Sequence, residues 1–185
     1  MRKNFGSKPM LYPMPVLIIG TYDENNIPDA MNAAWGGISE ENEISICVSD
    51  DHKTAKNVVV SGAFTVSVAD EKNLVSADYV GLVSGNNAPD KIKNAGWTAA
   101  KSAFVNAPVF SELPMTLECR LKSYDEATCR LVGEIVNVSA DESILTDGKI
   151  DLAKFSPITY DPVNHNYLTL GRVAGKAFCD GKKLK

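Results

Sequence analysis

Ser49, His52, Lys53 and Thr54 stand together just ahead of a run with helical character, Thr54–Gly62. The combination suits an anion: two hydroxyls, an imidazole, an ammonium, and the free N–H groups at the positive end of a helix dipole. Thr54 fits the N-cap position, where its oxygen would take the N–H of Lys56 or Asn57. Read this way, "SDDHKTAKN" is a seat for a phosphate. The plainer reading is a strand-to-helix connection with a solvated Lys and His. Asp50 and Asp51 favour that plainer reading unless they point away.

Three other stretches carry chemistry-bearing residues. In "MNAAWGG", Asn32, Ala33 and Ala34 precede Trp35. Small residues there let a flat ligand approach the backbone, whose amides can pair with a heteroaromatic edge. Trp35 would wall such a pocket, or else serve as a core or dimer-surface residue. In "GLVSGNNAPDKIKNAG", Ser84, Gly85 and Lys91 sit on a loop with few apolar anchors, the kind that often carries function. Asp90 there also suits an N-cap. In the tail, Tyr160, His165 and Tyr167 flank two turn-like segments, an aromatic content that suggests docking on the body or on a partner chain.

Other chemistries find little support. The four cysteines, at 47, 119, 129 and 179, form no CxxC pair, and His52 and His165 are the only histidines. A zinc site needs three or four closely spaced ligands. Cys47 and Cys119 read as small core residues, and Cys119 and Cys129 would face each other in a hairpin turning at Tyr124. "GRVAG" lacks the GxGxxG spacing of a dinucleotide fold.

Strands must position these residues. "PVLIIGTY", the turn "DENN" and "IPDAMNAAW" read as a hairpin over residues 16–36. "EISICVS" alternates, "AFTVSVAD" puts Phe64, Val66 and Val68 on one face, and residues 115–140 read as two long strands turning at "DEA". Shorter strands fit "SPITY" and "NYLTLG". Short helices fit "TAKNVVVSG", "EKNLVSADYVGLVSG" and "DKIKNAG". The pattern predicts a mainly β chain, an antiparallel barrel with a few short peripheral helices, in one domain over residues 1–185.

The chain of 185 residues is 44% hydrophobic with a net charge of -4. It is long enough to bury a substantial core and lacks the basic balance of a nucleic-acid binder. The apolar run Val16–Ile19 is too short for a signal segment, and no stretch approaches the ~20 apolar residues that span a bilayer. The expectation is a cytoplasmic protein with no membrane and no nucleic-acid partner.

In their order, hairpin, N-x-x-W, S-x-x-H-K-T-x-x-N, S-G-x-x-x-x-D-K and Y-x-x-L-G, these pieces resemble the flavin reductase-like family of FMN-binding split barrels, which includes flavoredoxin. The resemblance covers nearly the whole chain. It implies a six-stranded Greek-key split β-barrel acting as a homodimer, with FMN, in preference to FAD, near the subunit interface. Carried over by residue, Asn32, Ala33, Ala34 and Trp35 would line the isoalloxazine, with Asn32 near N5. Ser49, His52, Lys53 and Thr54 would hold the ribityl phosphate, and Ser84, Gly85 and Lys91 would close over the flavin. Asn57 would brace the loop. Many relatives carry Thr or Ser where this chain has Asn32. The implied activity is that of an NAD(P)H-dependent flavin oxidoreductase, hydride passing from NADH or NADPH to flavin, with no catalytic acid or base and no metal assigned. The alternatives are a flavoredoxin-like electron carrier that holds its FMN and serves a protein acceptor, and a non-enzymatic binding module on the same fold.

Overall fold

The computed structural model describes residues 1–184. The strands are β1 (Met14–Pro15), β2 (Leu17–Tyr22), β3 (Pro28–Ala33), β4 (Gly36–Glu40), β5 (Glu43–Cys47), β6 (Ala63–Val68), β7 (Ala99–Lys101), β8 (Pro108–Phe110), β9 (Met115–Asp125), β10 (Arg130–Ala140), β11 (Leu145–Thr146), β12 (Lys149–Ile150), β13 (Ile158–Asp161) and β14 (Asn166–Thr169). Between them lie the α-helices α1 (Lys53–Ser61), α2 (Leu74–Leu82) and α3 (Lys91–Asn94).

The main sheet is antiparallel and runs β3-β2-β6-β9-β10-β5-β4. Its two edge strands, β3 and β4, are joined by Ala34 and Trp35 alone. Two residues of chain reach roughly 10 Å from strand end to strand start, whereas seven strands laid flat would separate the edges by about 29 Å. The sheet therefore curls until its edges nearly meet, and the result is a split β-barrel. Counted as one strand bent at Ala34–Trp35, β3 and β4 bring the barrel to the expected six.

Strand β2 explains the run "LIIG". It is buried on both faces, so both of its alternating sets are apolar. Leu17 and Ile19 point into the barrel with Ala33, Ile46, Phe64, Val66 and Leu131. Ile18 joins the outer core with Ala77 and Val80 of α2, Ile92 of α3, and Trp97, Phe110 and Ile158. That outer layer pins α2 and α3 against the back of β3. At Gly62 the chain turns to φ 66 and α1 ends, its N–H bonded to Val58 O at 2.9 Å.

The expected strands and helices are present, including the 16–36 hairpin, with corrections at particular residues. Cys47 is exposed at the end of β5, whereas Cys119 is fully buried. Cys119 pairs with Ile135 across the β9–β10 ladder, and Cys129 sits in the turn after Asp125 at φ 55, so the two thiols do not face each other. The turn falls later than Tyr124 because Asp125 accepts the N–H groups of Ala127 and Thr128 and nucleates it there. The tail hairpin β13–β14 pairs back onto β1, so Tyr160 and Tyr167 dock on the body.

Candidate functional site

A cleft of about 270 Å³ opens where four segments meet. Strand β3 contributes Asp29, Met31 and Asn32; the start of α1 contributes His52, Lys53 and Thr54. The end of α2 and the following loop contribute Gly81 to Gly85, and the start of α3 contributes Lys91. The α1, α2 and α3 contributions come from element ends and a loop, where side chains and backbone groups are free to face a ligand, and the β3 contributions come from the strand itself.

Helix α1 presents its N-terminus to this cleft. The first ladder bond is Lys56 N–H to His52 O at 3.4 Å, so the N–H groups of Lys53, Thr54 and Ala55 precede it and have no place in the ladder. The N-cap is His52 and not Thr54, and no side chain caps the helix. The Thr54 hydroxyl is drawn away because it donates to Asp29 Oδ2 at 3.2 Å. Asp90 likewise precedes α3 without a capping bond.

The cations are held. Lys91 Nζ is 3.5 Å from Asp29 Oδ1, and both side chains are almost dry. Burial lowers the Lys91 amine below the usual lysine range; Asp29 opposes that, and Lys53 adds to it. Lys53 is paired at 3.1 Å with Asp23 Oδ2. Burial works against the Asp23 carboxylate, yet the Ile27 N–H and the Lys53 ammonium outweigh it and hold the carboxyl below its usual range. Asp50 and Asp51 are exposed and do not line the cleft. Asp51 lies 3.8 Å from His52 Nε2, and its carbonyl accepts from Asn86 at 3.5 Å.

A second hollow of about 370 Å³ shares Asn32, Gly81 and Leu82 with the first. Asn32 Nδ2 donates to Ala77 O at 3.0 Å, and a Cβ on Gly81 would stand 3.0 Å from Asn32 Cβ, so strand and helix are in close contact here. Ala34, Asp78, Tyr160, His165 and Tyr167 also line this hollow. Tyr167 donates to Asp78 Oδ1 at 2.8 Å, and burial with that bond pushes its phenol up to about 12. Tyr160 Oη and His165 Nδ1 share a hydrogen bond at 2.6 Å.

Seven of the expected residues, Asn32, His52, Lys53, Thr54, Ser84, Gly85 and Lys91, therefore line one cleft. Ala34 lies in the neighbouring hollow. Ala33 points into the barrel core, because strand alternation sends it opposite to Asn32. Trp35 is exposed and borders a separate hollow under the arm Lys8–Pro15. Ser49 is half-buried outside the cleft, its carbonyl accepting the His52 N–H at 3.2 Å. Asn57 braces α1 against β2, donating to Thr21 Oγ1 at 3.0 Å. Sequence reasoning missed Asp23 and Asp29. The available signal was a lone carboxylate in the otherwise small and apolar "IPDAMNA", since a charge in a buried strand needs a partner.

The groove thus runs from cations and free N–H groups, past a narrow Asn32–Gly81 strip, to an aromatic end. A ligand that is anionic at one end and flat at the other fits that sequence of surfaces.

The flavin reductase like domain model matches residues 10–165. The chain is similar to flavoredoxin of Desulfovibrio vulgaris (Miyazaki F), with 36% identity, a TM-score of 0.93, and coverage of 98% of this chain and 100% of that one. It is similar to flavoredoxin from Methanosarcina acetivorans at 26% identity and a TM-score of 0.87, covering 100% and 98%. An uncharacterized protein of Halalkalibacterium halodurans is 25% identical over 162 residues, 80% of this chain and 77% of the relative. The chain belongs to the flavin reductase-like family.

Proposed function

We propose that this protein binds FMN in the groove and acts as an oxidoreductase of the flavin reductase type, taking hydride from NADH or NADPH. The observation that carries this reading is the convergence of the α1 N-terminus, His52, Lys53 and Lys91 at one end of a groove whose other end is aromatic. In a flavin reductase-like chain that arrangement suits a ribityl phosphate at one end and an isoalloxazine at the other.

A bound flavin supplies the redox chemistry, and the protein binds and orients it. The α1 N–H groups and Lys53 would hold the phosphate. Ser84 and Gly85 would cover the ribityl chain from above. Asn32 would face the ring from β3. No side-chain nucleophile is required of the protein.

The second reading is an electron carrier with tightly held FMN. The whole-length likeness to flavoredoxin favours it. A reductase turns over added free flavin, whereas a carrier retains its own. Adding NADH and then NADPH to FMN-loaded protein under argon tests the first reading: bleaching of the flavin bands supports it, and persistence with both donors sends the assignment to the carrier.

Homodimer formation suits the large apolar side chains that Trp35, Leu168, Leu170, Val173 and Phe178 leave exposed. A cytoplasmic setting suits four free cysteines. No helix among the described residues is long and apolar enough to cross a membrane.

A further inference from the structure

The Asp29 carboxylate touches three of the segments that enclose the cleft. Oδ1 is 3.5 Å from Lys91 Nζ at the start of α3. Oδ2 accepts the Thr54 hydroxyl at 3.2 Å from the start of α1. A Cβ on Gly85 would stand 2.3 Å from Oδ1, so the loop after α2 lies directly on the carboxylate.

The Lys91 and Asp29 side chains retain only 4% and 3% of their exposure. An ammonium that dry, without a counter-charge, sheds its proton. The groups facing Lys91 are few. Asp29 comes from β3. Lys53, itself paired with Asp23, and His52 come from the start of α1. Asp90 precedes Lys91 in the chain and is exposed. Of the carboxylates, Asp29 alone makes an ion pair with Lys91 among the described residues.

We propose that Asp29 is a positioning residue: it keeps the Lys91 ammonium charged and fixed, and so sets the pH range over which the cleft holds an anionic flavin. This rests on the reading of the cleft as the flavin site. Without the carboxylate, Lys91 keeps its burial and its repulsion by Lys53, and both favour the neutral amine. A neutral amine does not attract a phosphate or a flavin carbonyl as an ammonium does. Affinity then falls as pH rises through the lowered amine value, approaching about tenfold per pH unit, the limit for one proton.

The test begins with flavin-free protein carrying lysine labelled with carbon-13 at Cε, the Lys91 signal assigned by its loss in Lys91→Arg. In Asp29→Asn, Lys91 should titrate at lower pH than in the native protein. Asp29→Glu, which keeps the charge, should leave it at the native position. FMN titrations across pH should show the alkaline loss of affinity moved to lower pH in Asp29→Asn. The loss should vanish in Asp29→Asn/Lys91→Arg, because a guanidinium stays charged. An unchanged Lys91 titration in Asp29→Asn would overturn the proposal. So would the same alkaline loss persisting with arginine at 91. If Asp29→Asn does not fold, Asp29→Glu decides: a Lys91 titration moved to lower pH there also overturns it. A shifted Lys91 in a protein that takes no FMN would leave the charge-holding role intact and overturn the flavin reading instead.

Discussion

Tyr167 on β14 donates its phenol to Asp78 Oδ1 on α2 at 2.8 Å, and this bond fastens the tail hairpin over the aromatic end of the groove. Burial and the Asp78 carboxylate both favour the neutral phenol, which is pushed up to about 12. Unfolded tyrosine ionises near 10. The folded state therefore binds the proton more tightly. Its contribution is present below the unfolded value and is lost as pH rises from about 10 to about 12. Phenolate absorbance should lose a late-titrating group in Tyr167→Phe. The same variant should speed hydrogen exchange in β14. Identical titrations in the two proteins would contradict the buried bond.

Asp161 behaves in the opposite sense. Tyr12 donates to its carboxylate, Asn164 Nδ2 donates at 2.7 Å and the Val163 N–H at 2.9 Å. The Tyr12 hydroxyl, with Asn164 next, holds the carboxyl down at about 2. A depressed carboxylate stabilises above its unfolded value and loses that contribution as pH falls from about 4 to about 2. Tyr12→Phe should move the Asp161 carboxyl, followed by carbon-13 NMR, upward toward the ordinary range. It should also make the arm around residue 12 more accessible to protease. A Tyr12→Phe protein with an unmoved Asp161 would contradict the account.

Gly85 and Gly37 make a matched pair. A Cβ on Gly85 would meet Asp29 Oδ1 at 2.3 Å, and one on Gly37 meets nothing within 4 Å. Gly85→Ala must push the loop off Asp29, and FMN affinity should fall about tenfold, the scale of one ordinary hydrogen bond to a charged group. Gly37→Ala should bind FMN as the native protein does. Equal affinities for the two variants would contradict the placement of the loop.

Gly133 reports on the barrel core. A Cβ there would meet Phe64 Cζ at 2.3 Å and Cys119 Cβ at 3.3 Å. Overpacking of this kind costs about 1–3 kcal/mol. Gly133→Ala should lower the denaturation midpoint accordingly with an unchanged slope.

The barrel was legible because strand alternation and turn residues were plain in the sequence. The run "LIIG" and the alternation in "AFTVSV" match the inner and outer faces of β2 and β6. The closure at Ala34–Trp35 was not legible, because a bend joining two sheet edges leaves no periodic trace. The cleft was legible as a set of loop residues, and Lys91 and His52 indeed meet there. Their charges were not. Asp23 and Asp29 form ion pairs with Lys53 and Lys91, and such a pairing depends on tertiary distance, which spacing along the chain does not carry. The cap at Thr54 failed because α1 starts one residue earlier, at Lys53, which leaves Thr54 inside the helix with its hydroxyl on Asp29.

The flavin reading needs the α1 end of the cleft to seat a phosphate. The most direct measurement is a fluorescence titration of flavin-free protein with FMN and with riboflavin, in native protein and in Lys53→Ala. Native protein should bind FMN at least about tenfold more tightly than riboflavin, the scale of one charged hydrogen bond, and Lys53→Ala should narrow the gap by weakening FMN alone. Equal affinities for the two flavins, or equal loss of both in Lys53→Ala, would contradict the seat. No change in flavin absorption or fluorescence with either ligand would remove the cofactor altogether.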